Sequence, residues 1–320
     1  MLSLRDLEAN ATIKVEQSTL ASGMYIARAA IGMSRGDRRS TMFGFGASLD
    51  KSAAVSSARF ELYERLCFTA NSYSSAELRL KGIAEGPLLD WPADRTSIEH
   101  LMCGAPSSAG VFSGNGTAVH TDKRHCISHA KRELLERHLC ASFWYAQTFR
   151  PKRLPLPSWI DGVARADISI YAMAVAEINA VFVMSFVSNE EDAFFAMGAA
   201  LRPKFHAAVE HAFGETAMLF HDFVCERYGP DVPTQSQLNV IKLRDASSNR
   251  TRHAYLKALM RGPEPTRLTD VSDQLSPEFS MNIVTFQPQY DMFAARAFSV
   301  SAMDPVELAK QLRVPTLPLS

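Results

Sequence analysis

Residues 113–145 read S-G-N-G-T-A-V-H-T-D-K-R-H-C-I-S-H-A-K-R-E-L-L-E-R-H-L-C-A-S-F-W-Y. The stretch opens as a turn-rich loop (Ser113, Gly114, Asn115, Gly116) and becomes a long helical pattern without Gly or Pro. Thr121 or Asp122 is the predicted N-cap, because a short side-chain oxygen there satisfies free amides of the first turn. His125, His129, Glu133 and Glu136 recur at helical spacing and share one face. Two carboxylates one turn apart, backed by two histidines and followed by Arg137, make a costly face to bury unless something positive sits on it.

The same pattern occurs earlier. Ser57, Glu61, Glu64 and Arg65 stand at i, i+4, i+7 and i+8, and E-L-Y-E-R-L-C at 61–67 parallels E-L-L-E-R-H-L-C at 133–140. The copies start 133−61 = 72 residues apart, too far for a solenoid repeat. The spacing suits two helices brought face to face. Four converging carboxylates repel one another unless hard cations neutralise them, and oxygen-only ligands suit Mg²⁺, which commonly accompanies phosphates. One E-x-x-E-R alone is also an ordinary solvated helix face; the doubling favours a site.

With these residues in view, the chain resembles the YcaO family, ATP-dependent enzymes that activate backbone amides in peptides. Ser57, Glu61, Glu64 and Arg65 match that family's S-x-x-x-E-x-x-E-R. Asn115, Gly116, Ala118, His129, Ala130, Glu133, Glu136 and Arg137 match its second motif. The segment A-M-G-A-A-L-R-P-K-F-H-A-A-V-E-H-A-F-G-E-T-A-M at 196–218 is similar to a third. The chain departs from the pattern at His120 (a family Gly), His125 (a Glu), His211 (an Arg) and Met218 (a Gln), and at Phe45 or Ala47 where the family has Lys. The resemblance implies one mixed α/β (α+β) domain over 1–320, with a nucleotide-binding core at about 40–230 and a Pro-containing tail at about 313–320. It implies Mg²⁺ held by Glu61, Glu64, Glu133 and Glu136. ATP would be contacted by Ser57, Arg65, His125, Arg137 and His211. Pro315 and Pro318 match in part the tail of azoline-forming members, whose terminal carboxylate, here on Ser320, reaches the active site. An end that is simply ordered or frayed is the other reading.

The implied activity is phosphorylation of an amide oxygen in a precursor peptide, giving thiazoline or oxazoline rings. The implied partners are a leader-binding protein of the ubiquitin-activating-enzyme-like type and a flavin-dependent azoline dehydrogenase. Thioamide formation, and a non-catalytic scaffold marked by the histidine and methionine replacements, stand as alternatives.

The rest of the chain sets bounds. Lys+Arg 34 against Asp+Glu 34 gives no net charge, which argues against a generally basic nucleic-acid surface. Five cysteines (67, 103, 126, 140, 225) without C-x-x-C spacing read as reduced thiols of a cytoplasmic protein. No apolar run has the length of a signal peptide core or a membrane span. T-I-K-V-E alternates like a strand, and G-F-G at 44–46 reads as a strand-end turn or a close approach to ligand. Asp50 or Ser52 caps the first motif helix, which runs to about Ala70. Residues 71–108 are a connection broken by G-P-L-L-D-W-P-A-D, followed by I-E-H-L-M-C. R-P-K-R-L-P-L-P at 150–157 reads as an extended linker. D-I-S-I-Y-A-M-A-V and N-A-V-F-V-M-S-F-V read as strands paired across a turn near 177–179, and F-F-A-M-G-A-A-L as a third. A third helix at 204–227 carries Ala207, Ala208, His211, Ala212 and Glu215 near one face. Glu215 there is either an exposed surface carboxylate or part of a cleft. Beyond 230, Q-L-N-V-I-K-L and M-N-I-V-T-F read as strands, R-H-A-Y-L-K-A-L-M and D-P-V-E-L-A-K-Q-L as helices.

Overall fold

Side-chain alternation along short β-branched and aromatic runs builds three antiparallel sheets, and each supports a helix. The structure is a computed structural model that describes residues 9–35, 38–68, 116–147, 149–191, 193–228, 246–261, 282–286, 292–298, 312, 315 and 317. The expectations for 71–108 (with His100 and Cys103), the loop at 113–115, Q-L-N-V-I-K-L, D-P-V-E-L-A-K-Q-L and Ser320 fall outside these residues, apart from Leu312.

The first sheet is β1 (Thr12–Gln17), β2 (Tyr25–Arg35) and β3 (Arg38–Ser48), in that order. Helix α1 (Lys51–Phe68) lies across it, with Asp50 Oδ1 accepting from Ala53 N at its start. The G-F-G of β3 is not a turn. Gly44 and Gly46 lie inside the strand, and a Cβ on either would stand 2.2–2.3 Å from backbone oxygens of Ala58 and Ala54 in α1. The glycines let a helix, rather than a ligand, approach the strand backbone.

The second sheet joins β4 (Thr117–His120) to two distant strands, β9 (Asn282–Phe286) and β10 (Phe293–Phe298), in the order β4-β10-β9. Helix α2 (Lys123–Ala141) seats Cys126, Ala130 and Leu134 on Ala118, Ala295 and Ala297 of this sheet. Asp122 is its N-cap and accepts from His125 N at 2.9 Å.

The third sheet runs β5 (Lys152–Leu154), β6 (Asp167–Val175), β7 (Ala180–Asn189), β8 (Phe194–Arg202). The segment read as a linker thus supplies an edge strand, Lys152–Leu154, paired with Ile170–Ala172. Both faces of this sheet are buried, so its strands are almost uninterruptedly apolar. Ile168, Ile170 and Ala172 face helix α3 (Phe205–Tyr228), with Ala208, Ala212 and Phe213. Tyr171, Met173 and Val175 face the other way, toward Leu135 and Leu139 of α2 and Leu256 and Leu259 of α4 (Ala246–Leu259). Burial of these two layers is the main cohesive term. Cys67, Cys126 and Cys140 are buried free thiols. Burial pushes Cys126 up to about 12, which keeps it inert.

Candidate functional site

Glu61 and Glu136 of the two motif helices, with Glu215, take amides on the edges of two sheets. β3 and β8 are edge strands, whose outward amides need acceptors. Phe45 N of β3 donates to Glu61 at 2.6 Å. Ala199 N and Leu201 N of β8 donate to Glu215 (3.0 Å) and Glu136 (2.8 Å). Thr117 Oγ1 of β4 donates to Glu64 at 2.6 Å. Each of these carboxylates is therefore fixed by a residue far away in sequence.

The cluster gathers Glu61 and Glu64 from α1, Glu133 and Glu136 from α2, and Glu215 from α3. Its cations are Arg65, Arg137 and Arg202. Arg65 pairs with Glu61 on its own helix and lies 5.4 Å from the Phe45 ring centroid. Arg137 faces Glu215 at 3.9 Å, and Arg202 faces Glu136 at 3.5 Å. Burial drives the carboxyls upward, and neighbouring carboxylates add to it. Glu64 is pushed up to about 7 by desolvation, with Glu61 contributing. Glu136 is pushed up to about 7 by desolvation, with Glu215 contributing. Glu133 is raised well above the carboxylate range by desolvation and by Glu64, and Glu61 is raised by desolvation despite Arg65. Among the described residues, no three acidic, His or Cys side chains already meet at one point in a metal-ligand grouping.

The structure brings together all four predicted metal ligands together with Arg65, Arg137 and His211. His211 Nε2 stands 3.7 Å from Glu215 and keeps 42% of its side chain open. Protein crowds it closely enough that desolvation, with Arg202 and His129, holds its imidazole well below the usual range. The two remaining predicted contacts are exposed side chains. Ser57 is exposed above Gly46, one turn before Glu61. His125 is 76% exposed in the first turn of α2, with its ring edge-on to His120, 5.2 Å between centroids. Eight residues separate it from Glu133, about 12 Å along a helix. His120 in turn stacks on Phe60.

For Glu215 the structure chooses between the two readings of the sequence. It is not an exposed surface carboxylate: only 13% of its side chain is open, and it ties α3 to β8 and to Arg137. Its i+4 relation to His211 within the third motif was the available signal. Arg202 and the amides of Phe45, Ala199 and Leu201 carried no sequence signal, since they serve through strand position.

A family model described as YcaO cyclodehydratase, ATP- and Mg²⁺-binding, matches residues 92–285. The chain belongs to the YcaO family. That match includes the second E-x-x-E-R and begins after the first. Solved structures share this fold. YcaO from Methanopyrus kandleri bound with AMPPCP and Mg²⁺ is 16% identical, with 98% of this chain and 92% of that chain covered and a TM-score of 0.60. The E. coli microcin synthetase McbBCD complex with pro-MccB17 bound is 12% identical, covering 97% and 96%, with a TM-score of 0.59. A heterocyclase in complex with substrate and cofactor is 11% identical, covering 92% of this chain and 50% of that one, at a TM-score of 0.58. A search of curated proteins gives no match.

The residues present fit the family's two ligands. Five carboxyl groups face three arginines, an oxygen-only set in which acids outnumber cations and whose deprotonation a hard cation such as Mg²⁺ would favour. Arg137 is buried, and among the described residues its Nε and Nη1 have no hydrogen-bond partner. A buried guanidinium with unused donors, beside these acids, is suited to phosphate oxygens.

Proposed function

We propose that the chain is the ATP- and Mg²⁺-dependent cyclodehydratase component of a peptide-modifying synthetase. Bound ATP would supply a phosphoryl group to a backbone amide oxygen of a precursor peptide. A substrate Cys, Ser or Thr side chain adds to that carbon, and loss of the oxygen as phosphate leaves a thiazoline or oxazoline. Phosphorylation converts a poor oxygen leaving group into a good one, which is why a nucleotide is required.

In this reading Glu61, Glu64, Glu133 and Glu136 hold Mg²⁺, and Glu215 joins them at the edge nearest Arg137. The strand amides of Phe45 and Leu201 fix the orientation of two of the four. Arg137 offers its unused donors to phosphate, while Arg65 braces Glu61. His211, whose burial favours the neutral imidazole, contributes a hydrogen bond rather than a charge. Positioning and charge neutralisation then supply most of the rate, as in other phosphoryl transfers. The peptide arrives through a leader-binding partner of the ubiquitin-activating-enzyme-like type, and a flavin-dependent dehydrogenase can follow in the same complex. We place the reaction in the cytoplasm; among the described residues, no helix is long and apolar enough to cross a membrane.

The carrying observation is the convergence of both E-x-x-E-R motifs and Glu215 on one buried cluster. The decisive experiment is mass spectrometry of the precursor peptide incubated with ATP, Mg²⁺, partner and either wild type or Glu133→Gln. Loss of about 18 Da per ring in the wild type, with at least a hundredfold less product in the variant, is the expected result. Equal product in both would overturn the assignment. A mass gain of sulfur for oxygen would move it to thioamidation.

A further inference from the structure

Helix α2 does not end as an α-helix. Ser142–Ala146 continues it as a single π turn, closed by Gln147 with φ 53. Such turns are uncommon and often accompany functional sites. Phe143, Trp144 and Tyr145 are all buried in it, and so are His138, Leu139, Cys140, Ala141 and Ser142 before them, so this end of the helix is enclosed on every side.

Two of these rings use their polar atoms on a segment far away in sequence. Trp144 Nε1 donates to Pro315 O at 2.8 Å, and Leu317 N donates to Tyr145 Oη at 2.7 Å. Leu317 also packs against the core cluster that contains Leu135, Leu139 and Cys140 of α2. Tyr255 Oη donates to Trp144 O at 2.9 Å, and its ring lies edge-on to the indole, 5.1 Å between centroids. The turn is thereby held from the α4 side as well. Both tyrosine and tryptophan polar atoms are satisfied in a buried site, as such atoms must be. The proline ring at 315 limits the freedom lost when the segment docks.

We propose that Trp144 and Tyr145 are positioning residues that clamp the segment around Pro315 and Leu317 to the end of α2. Trp144 follows Glu136 by eight residues, about 12 Å along the helix. The clamp anchors the end of the helix that carries Glu133, Glu136 and Arg137. Its catalytic consequence rests on the reading above; its existence does not.

The test uses the full chain and Tyr145→Phe, which removes the acceptor oxygen and keeps the ring. Hydrogen exchange at the Leu317 amide should be about tenfold faster in the variant, as for loss of one hydrogen bond. Leu317→Pro removes the donor of the same bond. In the double variant, the Trp144 indole N–H resonance should shift no further than in the more affected single variant. In the peptide assay, Tyr145→Phe should lower kcat by about tenfold with KM for ATP unchanged. An unchanged Leu317 exchange rate would remove the clamp, whatever the assay gives. Faster exchange with unchanged kcat would leave a structural strap and overturn the positioning role. A wild type that modifies no peptide strikes the proposed function, while the exchange rate still decides the clamp.

Discussion

On α1, Arg65 turns back to Glu61 of its own helix and keeps 46% of its side chain open. On α2, the equivalent Arg137 reaches away to Glu215 of a third helix, and only 13% of its side chain is open. The carboxylates differ in the same sense. Glu61 is half-buried at an outer sheet edge, while Glu136 has only 4% of its side chain open and lies between Leu201 N and Arg202. One short motif therefore makes a rim on one helix and a floor on the other. The difference arises from what lies opposite. α1 crosses a sheet whose far side stays partly open, whereas α2 is held between its own sheet and the four-stranded one.

The sharpest way to break this contrast is to neutralise each arginine. Arg137→Met leaves Glu133, Glu136 and Glu215 without their shared buried cation, and should cost about 3–5 kcal/mol in urea unfolding. Arg65→Met loses a half-exposed pair and should cost no more than about 1 kcal/mol. Equal losses would end the rim-and-floor distinction.

The helix seats give a second contrast. Gly46→Ala puts a methyl 2.3 Å from the backbone of α1, and should cost about 2–3 kcal/mol as α1 is displaced. Ala295, under α2, already carries its methyl, and Ala295→Gly should cost only about 1 kcal/mol. Thermal melts of both variants decide it, and Gly46→Ala should also loosen the Phe45–Glu61 bond.

Acidity gives a third contrast. Glu64 and Glu136 are raised from 4.5 to about 7 in the folded chain. The folded state thus holds protons that the unfolded state releases. Their contribution is fully present below about pH 4.5 and is lost as pH rises to about 7. In metal-free buffer, stability should fall by several kcal/mol between pH 5 and 8, on the order of 2 kcal/mol for each acid. Saturating Mg²⁺ and ATP should flatten or reverse that slope, because the metal requires the deprotonated acids. Glu136→Gln should remove more of the slope than Glu61→Gln; the reverse order would exchange rim and floor.

The sequence revealed what is periodic and local. The paired E-x-x-E-R faces, the Asp122 cap, the β6–β7 pair with Asn179 at its left-handed turn, and the third helix all follow from spacing and turn chemistry. Whatever depends on a sheet edge stayed hidden. Nothing in G-F-G says that the two glycines admit a helix while the amide between them takes a carboxylate. Nothing local separates a surface Glu215 from one inserted beside β8.

The anchors of the acids also determine when the site can form. Glu64 is held from 53 residues away and Glu136 from 65, and β4 finds its sheet partner only at β10, residues Phe293–Phe298. During synthesis, a ribosome that has released α1 and α2 has released four of the five acids and neither their β8 edge nor their third helix. Until β8 and α3 emerge, Glu136 lacks its strand amide and Arg137 lacks Glu215. Contacts of such long range close slowly, so nucleotide binding should appear late, with the last sheet rather than with either motif.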